Sequence, residues 1–140
     1  MDEATLLTAA TRKVQPHVAM GFIKTCTNSW ATSTRLHLDL ELQCVFGCGP
    51  GLDQTSHYAQ CPALKATVSP QLFNVRRNVR GPVTSPREAE VFQMACTVMY
   101  ATYHGVKNNH WQLAWSEPGS QRLCALASRL SKTAADQFVR

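Results

Sequence analysis

Cys44, Cys48, His57 and Cys61 form the pattern C-x3-C-x8-H-x3-C in the middle of a 140-residue chain. Three thiolates and an imidazole are the soft and borderline donors that zinc takes in a tetrahedral structural site. Gly47 and Gly49 flank Cys48. Both can adopt positive φ and turn backbone amides toward the sulfurs, where amide hydrogen bonds stabilise thiolate charge. His57 and Cys61 lie four apart, so one helical turn capped near Asp53 puts both on one face. Pro62 disfavours helical backbone at Cys61, so that turn stops at Cys61 or a second helix begins at Pro62. Two other readings of the same residues are a pair of free buried cysteines beside a surface histidine, and a Cys44–Cys48 disulfide. The chain opens with Asp2 and Glu3 instead of a basic leader, and nothing else in it points to secretion. Three cysteines and a histidine within 18 residues then read as metal binding in a reducing compartment, nuclear or cytoplasmic.

Charge supplies the second chemical signal. The net charge is +5, and the stretch from Gln54 to Arg87 holds Lys65, Arg76, Arg77, Arg80 and Arg87 with no acid. Outside it nine basic residues balance nine acidic ones, so the whole excess lies in a quarter of the chain. Clustered arginines neutralise phosphates, which allows RNA or DNA as a partner, although a solvated basic linker has the same composition. Tyr58, Phe46 and Trp30 lie close to the cysteines. They suit either stacking on bases or a small core beneath the finger.

The elements that must position these groups are mostly helical. Residues 3 to 13 carry Leu6, Leu7 and Ala10 on one side, and Pro16 opens a second helix with Val18, Phe22, Ile23 and Cys26 at helical spacing. Gly21 weakens this second helix. Between Ser33 and Phe46 the period changes to two. Leu38, Leu40 and Leu42 alternate with His37, Asp39, Glu41 and Gln43, which predicts a half-buried strand leading into Cys44. Ser85, Pro86 and Glu88 start the best-marked helix with a capping box, and Gly105 is placed to end it. Its inner stripe is Val91, Phe92, Ala95, Val98, Met99 and Thr102, with Glu90, Gln93, Thr97 and His104 on the wet face. A last helix, capped by Ser120, presents Leu123, Leu126, Ala127, Leu130, Ala134 and Phe138. The two stripes should pair through Phe92, Ala95, Met99, Leu123, Leu126 and Leu130. The expected organisation is a single mostly α domain with a small β-hairpin zinc knuckle. It divides into an N-terminal helical segment (1–29), a zinc-binding region (30–67), a basic loop (68–85) and a helical hairpin (86–140). No apolar run approaches the roughly 20 residues of a membrane span.

The run from Trp30 through Thr32, Thr34, Arg35 and Leu36 to the cysteines resembles the zinc-binding region near the C-terminal end of reverse transcriptases from non-LTR (LINE-type) retrotransposons. In that family a T-x-x-R-L segment precedes a C-x2-C, an acidic residue, an H-x4-C and a proline. Thr32 or Thr34, Arg35 and Leu36 match the lead-in. Cys44 and Cys48 match the first pair, Asp53 the acidic position, and His57, Cys61 and Pro62 the second pair. This chain has one extra residue between the first cysteines and one fewer between His57 and Cys61, and the similarity covers about residues 30 to 65. It implies a Zn2+ finger within a nucleic-acid-binding module.

A polymerase centre needs paired carboxylates to hold two metal ions, and the chain has no Tyr-x-Asp-Asp and no adjacent Asp-Asp. No nucleophile sits in a recognisable catalytic turn either. The expectation is therefore a non-enzymatic module without a small-molecule substrate or a membrane anchor. Cys44, Cys48, His57 and Cys61 would hold the metal, and Arg76, Arg77, Arg80, Arg87, Lys65 and Tyr58 would contact nucleic acid. The alternative from a different class is a structural subunit that keeps the zinc fold and docks into a larger protein assembly.

Overall fold

The computed structural model describes residues 2–37, 39, 42–68, 82–109 and 121–136, without the side chains of residues 122 and 123. Six helices are present among them: α1 (Glu3–Arg12), α2 (Pro16–Cys26), α3 (Thr55–Tyr58), α4 (Pro62–Thr67), α5 (Pro86–Asn109) and α6 (Gln121–Asp136). Asp2 caps α1 by accepting from Thr5 N at 2.7 Å, and Pro16 occupies the first turn of α2, where its missing N–H costs nothing.

The long helix α5 runs about 36 Å at 1.5 Å per residue, and α1, α2 and α6 all pack on it. At its start Ser85 Oγ accepts from Glu88 N (3.2 Å), while Glu88 Oε2 accepts from Thr84 N and Thr84 Oγ1, both at 2.8 Å. The capping box thus reaches back one residue further than the motif predicts. Gly105 does not end the helix. It lies inside the last turns, where α6 crosses so closely that a Cβ at this position would collide with the Leu130 side chain. Gly21 has the same role in α2, where a Cβ would stand 3.2 Å from Tyr100. Both glycines are crossing points, which explains why neither breaks its helix.

Burial on α5 is wider than its apolar stripe. Ala95, Val98, Met99 and Thr102 are inside as expected, but so are Gln93, Thr97, Cys96, Tyr103 and Val106. The predicted wet face fails at Gln93 and Thr97 because α2 covers it: Thr97 Oγ1 donates to Val18 O at 3.0 Å across the contact. Phe92 packs with α1 and α2 instead of α6. It joins a cluster of Leu6, Ala10, Val83 and Ala89 and meets Phe22 edge to face at 5.8 Å. On α6, Ala127, Ser131 and Ala134 are buried and Leu126 and Leu130 pack against the core. The Leu123 side chain and Phe138 lie outside the described residues.

The sheet expectation is corrected. No strand is present among the described residues, and the hairpin reduces to one antiparallel bridge between Gln43 and Leu52. Leu42, which the alternation would half-bury, is exposed, as is Leu36. An alternating pattern makes a strand only where another strand accepts its hydrogen bonds, and the returning chain at Leu52 pairs for one residue before winding into α3.

Beneath the bridge lies an aromatic stack at the centre of the larger core. Trp30 is fully buried, with its ring 4.9 Å from Tyr103 and 5.9 Å from Tyr58, and its indole N–H donates to Thr25 Oγ1 at 2.9 Å. Among the described residues no helix is long and apolar enough to cross a membrane.

Candidate metal centre

The knuckle is built by a short reversal of the chain. Cys44 N donates to Gly51 O at 2.8 Å and Asp53 N to Leu42 O at 2.9 Å, which closes the loop that carries Cys44 and Cys48. Gly47 and Gly49 take φ of 69° and 86° inside it, as their positions beside Cys48 predict. The second pair comes from two different helices, not from one helical turn. α3 ends at Tyr58, and Cys61 is the N-cap of α4, its sulfur accepting from Leu64 N at 3.4 Å. Pro62 does open a second helix, the outcome its ring favours.

The four side chains converge, and their donor atoms all lie within 4.8 Å of one another. Cys44 Sγ is 3.6 Å from Cys61 Sγ, and Cys48 Sγ is 3.1 Å from His57 Nε2. Cys44, Cys48 and Cys61 are all free cysteines, so the Cys44–Cys48 disulfide does not describe the site. This cluster can hold a metal ion. Its electrostatics already favour a thiolate. The hydrogen bond from Cys61, helped by Phe46 N at 3.4 Å, holds Cys44 well below the ordinary thiol range. Cys61, the donor in that pair, is pushed up, and burial raises Cys48. A metal ion would take the place of the shared proton and release those on the other thiols. A Cβ at Gly51 would collide with the His57 ring, so glycine here is what lets the imidazole lie over the turn and reach Cys48.

A buried polar hub stands behind the cluster. Asp53 has no exposed surface, and its carboxylate accepts from Ser33 N (2.8 Å), Tyr58 OH (2.8 Å), Tyr103 OH (2.8 Å) and Lys107 Nζ (3.1 Å). Burial pushes the Asp53 carboxyl up, but these four donors outweigh it and hold the group below the usual carboxylate range. Lys107 also donates to Tyr103 OH at 2.9 Å and to Ala31 O. Asp53 is therefore not the helix cap that its position suggested; Gln54 stands at that position, with no side-chain bond. Its work is to tie the knuckle to the lead-in loop and to the far end of α5.

Sequence reasoning missed Tyr103, Lys107 and Ser33. The available signals were the four-residue spacing that puts Tyr103 and Lys107 on one face of a helix, and the presence of a lone acid at the edge of an acid-free stretch.

Of the residues assigned to nucleic acid, Arg76, Arg77 and Arg80 lie outside the described residues. Arg87 is exposed on the first turn of α5, and Lys65 is half-buried on α4. Tyr58 is corrected. Its ring is fully buried between Trp30, Phe46 and Tyr103 with its hydroxyl on Asp53, so it belongs to the core under the knuckle and offers no face to a base. Compared with known proteins, the chain matches no family model, no curated protein and no solved structure.

Proposed function

We propose that the chain is a zinc-stabilised nucleic-acid-binding module, related to the terminal zinc region of a retroelement reverse transcriptase and lacking the polymerase centre. The convergence of Cys44, Cys48, His57 and Cys61 carries this reading. With Zn–S near 2.3 Å and Zn–N near 2.0 Å, a tetrahedral site has S–S edges of about 3.8 Å and S–N edges of about 3.5 Å. The 3.6 Å and 3.1 Å separations need only a few tenths of an ångström of adjustment. Zinc here is structural, since four protein donors leave no open position for chemistry. The acid-free basic stretch from Gln54 to Arg87 supports phosphate contact through Arg76, Arg77, Arg80 and Arg87.

Metal content and a titration with RNA and DNA at two salt concentrations test this together. The expected result is one zinc per chain in protein purified under reducing conditions without chelator. If Arg76, Arg77 and Arg80 each meet a phosphate, the slope of log affinity against log salt should be about three times the roughly 0.7 to 0.9 of one contact. Replacing all three by Ala should remove most of it. Absence of zinc sinks the first half of the reading, and an unchanged triple variant sinks the second. In the latter case the protein-docking role, which the exposed Met20 and Ile23 on α2 favour, becomes the better account.

A further inference from the structure

A cavity of about 540 Å³ lies between the end of α2, the lead-in loop and α3. Its wall includes Asn28, Thr34, Arg35, His37, Thr55 and Ser56. No carboxylate and no Phe, Tyr or Trp ring lines it among the described residues. We infer that this cavity binds a phosphate group of a nucleic-acid strand, through Arg35, His37 and the hydroxyl-bearing Thr34, Thr55 and Ser56 of its wall. The inference rests on the nucleic-acid reading and adds a contact point outside the Gln54–Arg87 stretch.

Three observations carry it. The first is the chemistry of the wall. Arg35 brings a guanidinium whose fork matches phosphate oxygens, His37 an imidazole, and Thr34, Thr55 and Ser56 bring hydroxyl donors, with no acid among the described lining residues to repel an anion. The second is an unused hydroxyl: Thr55 Oγ1 is buried with no hydrogen-bond partner among the described residues. A buried hydroxyl is ordinarily paired, and because the Thr55 side chain lines the cavity, a rotamer change about its Cα–Cβ bond would bring this one to an oxygen of a ligand there.

The third is that both walls are fixed before any ligand arrives. Ser33 N and Thr34 N donate to the Asp53 carboxylate and carbonyl, and Arg35 N donates to Thr32 Oγ1. The opposite wall, α3, begins two residues after Asp53. Asp53 is thus the root of both sides, and little ordering remains to oppose binding.

Size and lining narrow the ligand. The volume falls within the roughly 300 to 1,000 Å³ of small-molecule sites, room for a nucleotide unit and more than a bare anion needs. With no Phe, Tyr or Trp ring among the described lining residues, the wall offers no broad stacking surface for a base. Contact is therefore to phosphate and sugar, which positions a strand without reading its sequence.

The test uses the full chain, metal-loaded and isotope-labelled, with backbone amide spectra followed during titration. The probes are a single-stranded DNA of about 12 nucleotides, thymidine monophosphate and inorganic phosphate. The strand should move the amides of Thr34, Thr55 and Ser56, equally for thymine-rich and adenine-rich sequences. Arg35→Gln, a change at an exposed side chain whose fold the same spectra verify, should weaken strand binding about tenfold at low salt. It should also lower the salt slope by about 0.7. If the strand binds while these amides stay still, or Arg35→Gln keeps the parent's affinity and slope, the cavity is not the phosphate site, although the chain binds nucleic acid. If the strand fails to bind but the mononucleotide or phosphate moves these amides, the site stands and the nucleic-acid function falls. No movement with any of the three probes overturns the site.

Discussion

Between Gln43 and Cys61 the chain makes one four-residue helix and one bridge, whereas α1, α2 and the first half of α5 interlock through Leu6, Ala10, Phe22, Ala89 and Phe92. The helical region is held by apolar area removed from water, at roughly 1.5 to 3 kcal/mol for each large side chain. The knuckle also buries Phe46 and Tyr58 in the larger core, but to that it adds directed groups: three thiols, an imidazole, and a carboxylate with four donors. The contrast teaches that the two regions should fail differently. Loss of one apolar contact is partly absorbed by neighbours, but loss of one ligand or one charge leaves partly or fully buried polar partners unpaired.

The widest separation should come from Cys44→Ser. Structural zinc sites contribute on the order of 10 kcal/mol to folding in small fingers, so a three-ligand site should leave residues 42–61 unformed. The expected result is loss of the metal, rapid proteolytic cutting within the knuckle and a red-shifted Trp30 emission, with most helical circular dichroism retained. Equal collapse of both regions would show that α1, α2 and α5 also depend on the metal and would erase the contrast.

Asp53→Asn should come next. Removing one partner from a buried ion pair costs about 3 to 5 kcal/mol, and the lower end applies because the Lys107 side chain keeps 27% of its exposure. Lys107→Met should relieve part of that loss, since the charge left unpaired goes with it. A double-mutant cycle in urea that gives simple additivity would break the hub. Gly51→Ala is the milder probe of the same region. The new methyl meets the His57 ring, and metal affinity should fall about 10- to 100-fold, the range seen when groups that orient a ligand are altered.

His104 reports on the joint between the regions, because its ring packs on Tyr100 and Tyr103 beside Trp30. Burial, with Lys24 and Lys107 adding to it, lowers its pKa from 6.5 to about 4. The folded state therefore prefers the neutral ring, while the unfolded chain takes up a proton below 6.5. The stability this confers is complete above pH 6.5 and is lost as pH falls from 6.5 toward 4, at no more than about 1.4 kcal/mol per pH unit. Acid also releases metal, so the measurement is the difference between the parent and His104→Phe. That difference should grow through this window, and a constant difference would remove the histidine from the account.

What the sequence made legible follows the same division. Helix positions were readable because Pro16, Ser85, Pro86 and Glu88 act locally and apolar period needs no partner. The candidate metal cluster was readable because thiols and imidazole are rare, and their spacing is chemistry in itself. Burial of Gln93 and Thr97 was not readable, since it depends on where α2 lies, and neither was the burial of Tyr58. The strand between Ser33 and Phe46 misled for the same reason: alternation states which residues would share a face, but not whether another strand is there to pair. The sequence marks Asp53 as a cap and as the acidic position of the resemblance but not as a buried hub, because its partners Tyr103 and Lys107 are about 50 residues away.

Gly105 gives the smallest effect and the finest probe of the helical side. In an isolated helix, replacing Gly by Ala stabilises by about 1 kcal/mol. Here the added methyl would collide with Leu130 where α6 crosses α5, and overpacking of this kind costs about 1 to 3 kcal/mol. The nearest atom is the far end of a leucine side chain, which can change rotamer, so the cost should lie at the low end. Gly105→Ala should then destabilise by about 1 kcal/mol or less. Pairing it with Leu130→Ala, which vacates the space, should turn the glycine replacement into a gain. If Gly105→Ala stabilises the protein with Leu130 intact, the two helices cross less tightly than the backbone places them, and the glycine is there by tolerance instead of need.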